Sequence, residues 1–382
     1  MARLDERAAT RLQSVLQGHI DRGLIPGAVA MIAIGGKTEF FAALGKQDPQ
    51  AGFAMQRDSI FRIYSMTKPI VSLATLMLVE QGQLQLTDPV AKYLPMFAGQ
   101  QVAIEEHGKV RLVPAAREAT VHDLLRHTAG FTYEFMGDGP VQRQYTDASL
   151  GSRKRSNLEF CAALAPIPLA FDPGSCWEYS RATDVLGALL EVVTGRPLGS
   201  LLTDLVLGPL RMNDTAFAVP EEKHSRLAEP FAVDPESGEA VRLMENRQAP
   251  RFESGGGGLL STAQDYARFL ELMRNEGSLD GVRLLSPHTV RWMTSDHLGL
   301  IPIAGALLPA GHGFGLGFAV QTKAGCTPVP GSVGTYFWTG LGGTSFLVDP
   351  AQDLVAMLLT QAPNQRTFFV ALFRQLVYGA LD

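Results

Sequence analysis

Strand-like segments lie at the two ends of this chain, and mostly helical segments separate them. Near the start, AVAMIAI at 28–34 and TEFFAALG at 38–45 flank Gly35-Gly36, which predicts a β-hairpin closed by a glycine turn. Near the end, three further strand-like runs are separated by Gly, Pro and Asp: FGLGFAV at 314–320, TSFLVDP at 344–350 and LVAMLLTQ at 354–361. Because no βαβα alternation occurs, the order predicts an α+β fold in which both chain ends build one antiparallel sheet.

The region between these ends has helical periodicity. Residues 65–82 are apolar on nearly every face after Pro69, which is typical of a buried helix, and Gly82 ends the pattern. Further helices are predicted over 3–22, 121–127, 156–164, 180–194, 286–295 and 364–380. Residues 98–119 are polar and irregular, and we interpret them as a surface excursion. We expect an α/β sheet domain from residues 1–64 and 255–382 and a mostly helical domain from residues 65–254.

Composition excludes several classes of protein. The net charge is −5 and no long Lys/Arg run occurs, which disfavours nucleic-acid binding. The three cysteines are odd in number, and they lack paired metal-ligand spacing. The start MARLDERAAT has no apolar core of a signal peptide, and the longest apolar run, Ile70–Val79, is shorter than the ~20 residues of a membrane span. We therefore expect a cytoplasmic protein without a metal, cofactor or membrane partner; the oligomeric state stays open.

The sharpest local signal is Ser65-Met66-Thr67-Lys68. Positions i and i+3 of a helix share one face, so the Ser65 hydroxyl and the Lys68 amine can meet. The start of a helix carries partial positive charge, and burial beside an apolar helix disfavours the ammonium form. A lysine so placed can accept the serine proton, and the Ser65 N–H can stabilise an oxyanion. The alternative is a capping serine followed by a surface lysine.

Two more segments carry candidate chemistry. Tyr179 follows the Pro173-Gly174 turn and precedes a helix, so its hydroxyl can point into a cleft. Beside an ammonium group its phenol would be easier to ionise and could pass a proton to a leaving group. Trp338-Thr339-Gly340-Leu341-Gly342-Gly343 lies between strand-like runs, where glycines allow a ligand close to a strand edge. Taken alone, the first is more typical of a core or rim tyrosine and the second of a glycine-rich hairpin.

Five segments in this order resemble family VIII carboxylesterases of the class C β-lactamase and penicillin-binding-protein superfamily. They are YSMTKP at 64–69, LLRHTAGF at 124–131, DPGSCWEYS at 172–180, GGGGLLSTAQDYARFL at 255–270 and YFWTGLGGTSFLVDP at 336–350. The resemblance spans residues from about 25 to the C-terminus. It implies a β-lactamase-like fold, with Ser65 as acylated nucleophile and Lys68 and Tyr179 as acid and base. It also implies an oxyanion hole from the N–H groups of Ser65 and Leu341.

Departures from the β-lactamase pattern indicate the substrate. Where those enzymes carry Lys-Thr-Gly, this chain has Trp338-Thr339-Gly340, which is what the esterase branch tends to show. Tryptophan cannot hold a substrate carboxylate, so neutral or apolar esters are favoured. Tyr-x-Asn is likewise replaced by Tyr179-Ser180-Arg181, which disfavours efficient β-lactam turnover. Trp338 and Gly340 are expected to contact substrate, and Tyr133 and Phe135 are expected to line an acyl pocket.

The predicted function is hydrolysis of short-chain acyl esters, with a small-molecule ester as the partner. Rivals on the same scaffold are an acyltransferase, a weak β-lactamase and a hydrolase of D-amino peptides or amides. A rival of another class is a non-catalytic penicillin-recognising module. His127 invites a Ser-His-Asp reading, which we reject because Lys68 already offers a base. The Gly255–Gly258 run lacks the Gly-Lys-Ser/Thr ending of a phosphate loop.

Overall fold

The computed structural model describes residues 3–106 and 109–382. The strands are β1 (Gly27–Ile34), β2 (Lys37–Asp48), β3 (Phe53–Ala54), β4 (Phe61–Arg62), β5 (Gln101–Glu106), β6 (Lys109–Pro114), β7 (Leu260–Ser261), β8 (Ser278–Leu279), β9 (Val282–Arg283), β10 (His312–Phe314), β11 (Ala319–Gln321), β12 (Tyr336–Thr339), β13 (Ser345–Asp349) and β14 (Leu354–Thr360). The helices are α1 (Glu6–Asp21), α2 (Thr67–Glu80), α3 (Val121–Leu125), α4 (Pro140–Asp147), α5 (Asn157–Leu164), α6 (Ala182–Thr194), α7 (Leu198–Leu202), α8 (Ala263–Arg274), α9 (Pro287–Met293) and α10 (Arg366–Tyr378).

An eight-stranded antiparallel sheet has the order β10-β11-β12-β13-β14-β1-β2-β3. The two chain ends meet at its centre, where β1 pairs with β14 from Ala28↔Thr360 to Ile34↔Leu354. Every residue of both strands is buried, as expected for strands covered on both faces. The predicted α+β, β-lactamase-like architecture is therefore confirmed.

The period of two along β1 explains how the sheet is covered. Ala28, Ala30, Ile32 and Ile34 join one core cluster with residues of α1 and α10, whereas Val29, Met31 and Ala33 join a second cluster on the opposite face. Helix α8 covers that second face. The second cluster is continuous with α2 and α6, so one apolar core links the sheet to the helices inserted between its strands. The boundaries of the two expected domains stay a prediction.

Helix α2 is the central element of the inserted region. Its residues Thr67–Leu78 are all buried, which agrees with a run that is apolar on nearly every face. It packs against α6 and α7. This burial matters for the site because Lys68 lies in the first turn of α2 and cannot reach bulk water.

The interpretation of residues 98–119 as an irregular excursion is wrong in the described part of that segment. β5 and β6 pair from Gln101↔Pro114 to Glu106↔Lys109, and residues 107 and 108 lie outside the described residues. Most of this hairpin is exposed, so its sequence lacks the apolar alternation of a half-buried strand. A backbone hydrogen bond anchors the hairpin to the rest of the protein: the Ala103 N–H donates to the Leu169 carbonyl at 2.9 Å. Helix α4 is likewise absent from the helices predicted from the sequence.

Among the described residues, no single helix is both long and apolar enough to cross a bilayer. Ala182–Thr194 and Leu198–Leu207 meet that criterion only as a pair bent by 79°.

Candidate active site

Ser65 lies in a single 3₁₀ turn, Tyr64–Met66, that joins β4 to α2. Tyr64 has a φ of 45°, in the left-handed region that non-glycine residues seldom adopt, at a cost of about 1–3 kcal/mol. Tertiary contacts hold it there, since the Tyr64 hydroxyl accepts a hydrogen bond from the Met244 N–H at 3.0 Å. Within this turn Ser65 alone is half-buried while its neighbours are buried, so it is the residue that solvent can reach.

The Lys68 amine meets Ser65 inside the protein. Its Nζ atom lies 3.4 Å from Ser65 Oγ, and it donates to the Tyr133 hydroxyl at 3.0 Å and to the Gly256 carbonyl at 2.6 Å. Burial is the largest cause that lowers the pKa of Lys68 from 10.5 to about 7. A large fraction of the amine is therefore neutral at neutral pH, and the neutral form is the one that can accept a proton.

Tyr179 is buried beside the same two residues. The Lys68 Nζ atom lies 4.4 Å from the centroid of the Tyr179 ring, and the Trp338 indole N–H donates to the Tyr179 hydroxyl at 3.4 Å. Burial raises the pKa of the Tyr179 phenol well above its ordinary 10, although hydrogen bonds with Ser65 and Trp338 oppose the change. The expectation that this phenol is easier to ionise is therefore wrong. A buried phenol stays protonated, because burial outweighs the hydrogen bonds and the neighbouring lysine is itself half neutral near pH 7.

The N–H groups of Ser65 and Leu341 are both available to an oxyanion. Across residues 3–106 and 109–382, no protein acceptor takes either of them. A Cβ at Gly340 would collide with the carbonyl oxygen of Ile63, two residues before Ser65, so the turn after β12 lies directly against the serine turn. The turn that carries Leu341 is therefore adjacent to the turn that carries Ser65, and the oxyanion hole stays a prediction.

The four residues expected to contact substrate fall into three settings. Tyr133 is buried with its hydroxyl on Lys68, and its ring stacks on Phe135 with centroids 4.8 Å apart. Phe135 is 63% exposed and forms the outer surface of this stack. Trp338 is buried against Tyr179, and Gly340 packs against the backbone before the serine turn. Tyr133 therefore contacts the Lys68 amine directly, in addition to stacking on Phe135.

Sequence reasoning missed three residues that surround the lysine. Gly256 supplies the carbonyl acceptor of Lys68, and its N–H donates to the buried Asp184 carboxylate at 2.9 Å. Arg181 forms an ion pair with Asp184 at 3.4 Å. The tetraglycine run at 255–258 and the position of Arg181 two residues after Tyr179 were the available signals. Neither the glycine run nor the spacing between Tyr179 and Arg181 reveals which backbone oxygen Lys68 will contact, because that contact joins residues far apart in the chain.

The tetraglycine run is shaped by packing. A Cβ at Gly255 would lie 2.5 Å from the Thr183 carbonyl oxygen, and one at Gly258 would lie 2.7 Å from the Phe217 ring. These distances are shorter than any ordinary carbon contact, so only glycine lets the loop pass between α6 and the serine turn. The same close approach brings the Gly256 carbonyl to Lys68.

His127 does not serve as a partner of Ser65. Its Nδ1 atom lies 3.0 Å from the Ser180 hydroxyl, and its ring centroid lies 5.0 Å from that of Tyr179. Burial is the main cause that holds the pKa of His127 well below 6.5, so the ring is neutral. It packs behind the tyrosine, which agrees with the rejection of a Ser-His-Asp triad. Among the described residues, no group of three or more His, Cys, Asp or Glu side chains is arranged to hold a metal ion.

The fold and the site define a serine hydrolase scaffold of the penicillin-recognising type. The profile described as "Beta-lactamase" matches residues 12–378, and the chain therefore belongs to the beta-lactamase family. This confirms the resemblance drawn from the five sequence segments.

Known relatives include esterases. Protein Rv1367c of Mycobacterium tuberculosis is 38% identical, covering 91% of this chain and 89% of its own length. Esterase EstB of Burkholderia gladioli is 35% identical, covering 92% and 90%. Among solved structures, EstCE1, described as a hydrolase with promiscuous acyltransferase activity, superposes with a TM-score of 0.80 at 29% identity, covering 98% and 99%. These relatives support hydrolase activity, as an esterase or an acyltransferase, on this scaffold.

Proposed function

We propose that this protein is a carboxylic ester hydrolase that forms an acyl-enzyme on Ser65. The observation that carries the proposal is the fully buried Lys68 amine, which lies 3.4 Å from Ser65 Oγ and has a pKa of about 7. A neutral amine at that distance is a general base for a hydroxyl that is otherwise a weak nucleophile.

The reaction follows from the protonation states. Neutral Lys68 takes the Ser65 proton as Oγ attacks the ester carbonyl. The developing oxyanion accepts hydrogen bonds from the N–H groups of Ser65 and Leu341. The protonated Tyr179 phenol donates its proton to the departing alcohol and regains one from the Lys68 ammonium. A water molecule then cleaves the acyl-enzyme by the reverse sequence of proton transfers, which returns each group to its starting state.

The walls of the site favour a neutral, apolar ester. Trp338 occupies the position where β-lactamases have a lysine, and its indole is buried against Tyr179. Phe135 and Leu341 are 63% and 45% exposed at the mouth, where an apolar substrate group would cover them. Short acyl chains are the preference that the resemblance to family VIII carboxylesterases implies. The esterases among the relatives support the resemblance to that family.

Acyl transfer is a second candidate. The description of EstCE1 includes promiscuous acyltransferase activity. The exposed faces of Phe135 and Leu341 would suit an organic alcohol as the acceptor in place of water. The Ser65 acyl-enzyme is common to both reactions, so only the acceptor differs.

The test is hydrolysis of p-nitrophenyl esters of increasing acyl length beside the cephalosporin nitrocefin. Wild type is compared with Ser65→Ala and with the control Ser72→Ala, which removes a buried hydroxyl from the same helix α2. We expect rapid cleavage of short esters, slow or no cleavage of nitrocefin, and loss of both in Ser65→Ala alone. Ester hydrolysis that survives Ser65→Ala would refute the assignment of the nucleophile.

The other outcomes separate the rivals. Rapid nitrocefin turnover would mean that Trp338 does not exclude β-lactams. If esters are cleaved faster when an alcohol is added, with the new ester as product, the protein is an acyltransferase. If a fluorophosphonate labels Ser65 and no ester is cleaved, a D-amino peptide or another amide is the substrate. A chain that remains unlabelled would be a non-catalytic binding module.

A further inference from the structure

A buried carboxylate stands directly behind the acceptor of the Lys68 amine. Asp184, in the first turn of α6, is 1% exposed. Its carboxylate accepts the Gly256 N–H at 2.9 Å and the Ser254 hydroxyl at 2.5 Å. The carbonyl of the same glycine accepts the Lys68 amine at 2.6 Å. One residue, Gly256, therefore connects the carboxylate to the lysine, because its N–H faces Asp184 and its carbonyl faces Lys68.

A half-buried guanidinium reaches the lysine by a second route. The Arg181 side chain is 14% exposed and pairs with Asp184 at 3.4 Å and with Glu134 at 2.6 Å. Its guanidinium carbon lies 4.9 Å from the centroid of the Tyr133 ring, and the Tyr133 hydroxyl accepts from Lys68 at 3.0 Å. The arginine thus fixes the ring that carries the second hydrogen-bond partner of the amine.

The charges that face Lys68 come from few groups. The titratable and charged side chains packed around it are His127, Tyr133 and Glu134 from the segment after α3, Tyr179 and Arg181 before α6, and Asp184 in α6. Burial keeps the histidine and both tyrosines neutral near pH 7, because it lowers the pKa of the histidine and raises the pKa values of the phenols. Arg181 and Asp184 are the charged groups that act on the pKa of the amine, in opposite directions.

We propose that the buried Arg181–Asp184 pair is a positioning device that holds the Gly256 carbonyl and the Tyr133 hydroxyl against Lys68 and sets the pH range in which Lys68 acts as the base. This rests on the proposed function of Lys68. The arginine occupies the position where β-lactamases have the asparagine of Tyr-x-Asn, so a charged side chain replaces a neutral amide at this position.

The proposal predicts opposite effects of removing each charge. Asp184→Asn keeps an oxygen for the Gly256 N–H and removes a negative charge that stabilises the ammonium, so the acidic limb of the pH profile moves to lower pH. Arg181→Met removes a positive charge that destabilises the ammonium, so the acidic limb moves to higher pH. Each shift is expected to be on the order of one pH unit. Arg181→Lys keeps the charge and should leave the limb nearly unmoved.

The experiment measures kcat/KM for p-nitrophenyl acetate against pH for these three variants and the double variant, after thermal unfolding has verified that each one folds. Asp204→Asn and Arg196→Met are matched controls, since their ion pair is exposed and solvent screens it. The acidic limb of the double variant, Asp184→Asn with Arg181→Met, should lie between the limbs of those two single variants. Shifts in the same direction, or folded variants with the wild-type profile, would overturn the proposal. If Arg181→Met does not fold, the acidic limb should still move to lower pH in Asp184→Asn and stay in place in Arg181→Lys, and an unmoved limb in Asp184→Asn would overturn the proposal.

A second readout separates this proposal from the proposed function. The protein labelled with ¹³C at the lysine Cε atoms is titrated by NMR, and the resonance absent from Lys68→Ala identifies Lys68. The midpoint should move down in Asp184→Asn and up in Arg181→Met even if no ester is turned over. If the Lys68 midpoint moves in neither variant, the proposed role of the Arg181–Asp184 pair is refuted, while the proposed esterase activity is unaffected. Moved midpoints without any Ser65-dependent hydrolysis would refute the esterase and keep the electrostatic coupling.

Discussion

Replacing Lys68 with methionine should make the protein more stable near neutral pH while it abolishes hydrolysis. The amine is fully buried, and its pKa falls from 10.5 in an exposed setting to about 7 in the folded chain. At pH 7 the unfolded chain holds a proton that the folded chain holds only about half the time. A difference of about 3.5 pH units corresponds to about 5 kcal/mol of stability that the wild type lacks at this pH.

The net gain in the free energy of unfolding is smaller than this value, because methionine cannot donate a hydrogen bond to the Gly256 carbonyl. Leaving that buried oxygen without its hydrogen bond costs about 1–3 kcal/mol. Methionine is otherwise similar in length and fills the same space. Lys68→Met should therefore raise the free energy of unfolding by about 2–4 kcal/mol at pH 7.

The sign of the pH dependence makes this prediction specific. From pH 7 to 10.5 the unfolded wild type binds more protons than the folded wild type, so the free energy of unfolding attributable to Lys68 rises with pH. The methionine variant lacks this contribution, and its advantage should shrink by about 1.4 kcal/mol per pH unit. Urea unfolding of both proteins at several pH values in this window measures the difference.

A surface lysine is the control. Lys37 is 78% exposed, and Lys37→Met removes the same charge without relieving any burial, so it should change stability little. If Lys68→Met is less stable than wild type at pH 7, by an amount that does not vary with pH, then the amine keeps its ordinary pKa in the fold. The argument for Lys68 as a neutral base would then fail.

Three further predictions concern turnover. Wild-type kcat/KM should rise about tenfold from pH 6 to pH 8, because a group with a pKa of about 7 is roughly 9% neutral at the first pH and 91% at the second; a midpoint near 10 would contradict this. Gly340→Ala should lower kcat on the order of 10²-fold, since its Cβ would displace the Leu341 N–H, whereas Leu341→Ala keeps that N–H and should retain a kcat near that of wild type in the same ester assay. Phe135→Ala should raise KM for apolar esters about tenfold with kcat retained, and Phe53→Ala, which also removes an exposed ring, should leave both KM and kcat unchanged. A fall in kcat with unchanged KM would place Phe135 in the chemical step instead.

Local spacing was enough to predict the elements that depend on neighbours in the chain. The i, i+3 spacing of Ser65 and Lys68 brings Oγ and Nζ together where the 3₁₀ turn at Tyr64–Met66 leads into α2. The glycine turn at 35–36 closes the hairpin of β1 and β2, and the apolar run after Pro69 indicates a buried helix. The exposed β5–β6 hairpin escaped prediction, because pairing between two polar strands leaves no periodicity in the sequence.

The sequence by itself thus determined that a serine and a lysine meet at the start of a buried helix and that the chain ends supply the strands of the large sheet. Only the tertiary structure decided which distant groups surround the amine: the Gly256 carbonyl, the Tyr133 hydroxyl and the Arg181–Asp184 pair. Only it decided that Tyr179 stays protonated, since burial is a property of the assembled core. The physical reason is that desolvation and charge act through space over a few ångströms, and such neighbours here lie up to 188 residues apart in the chain.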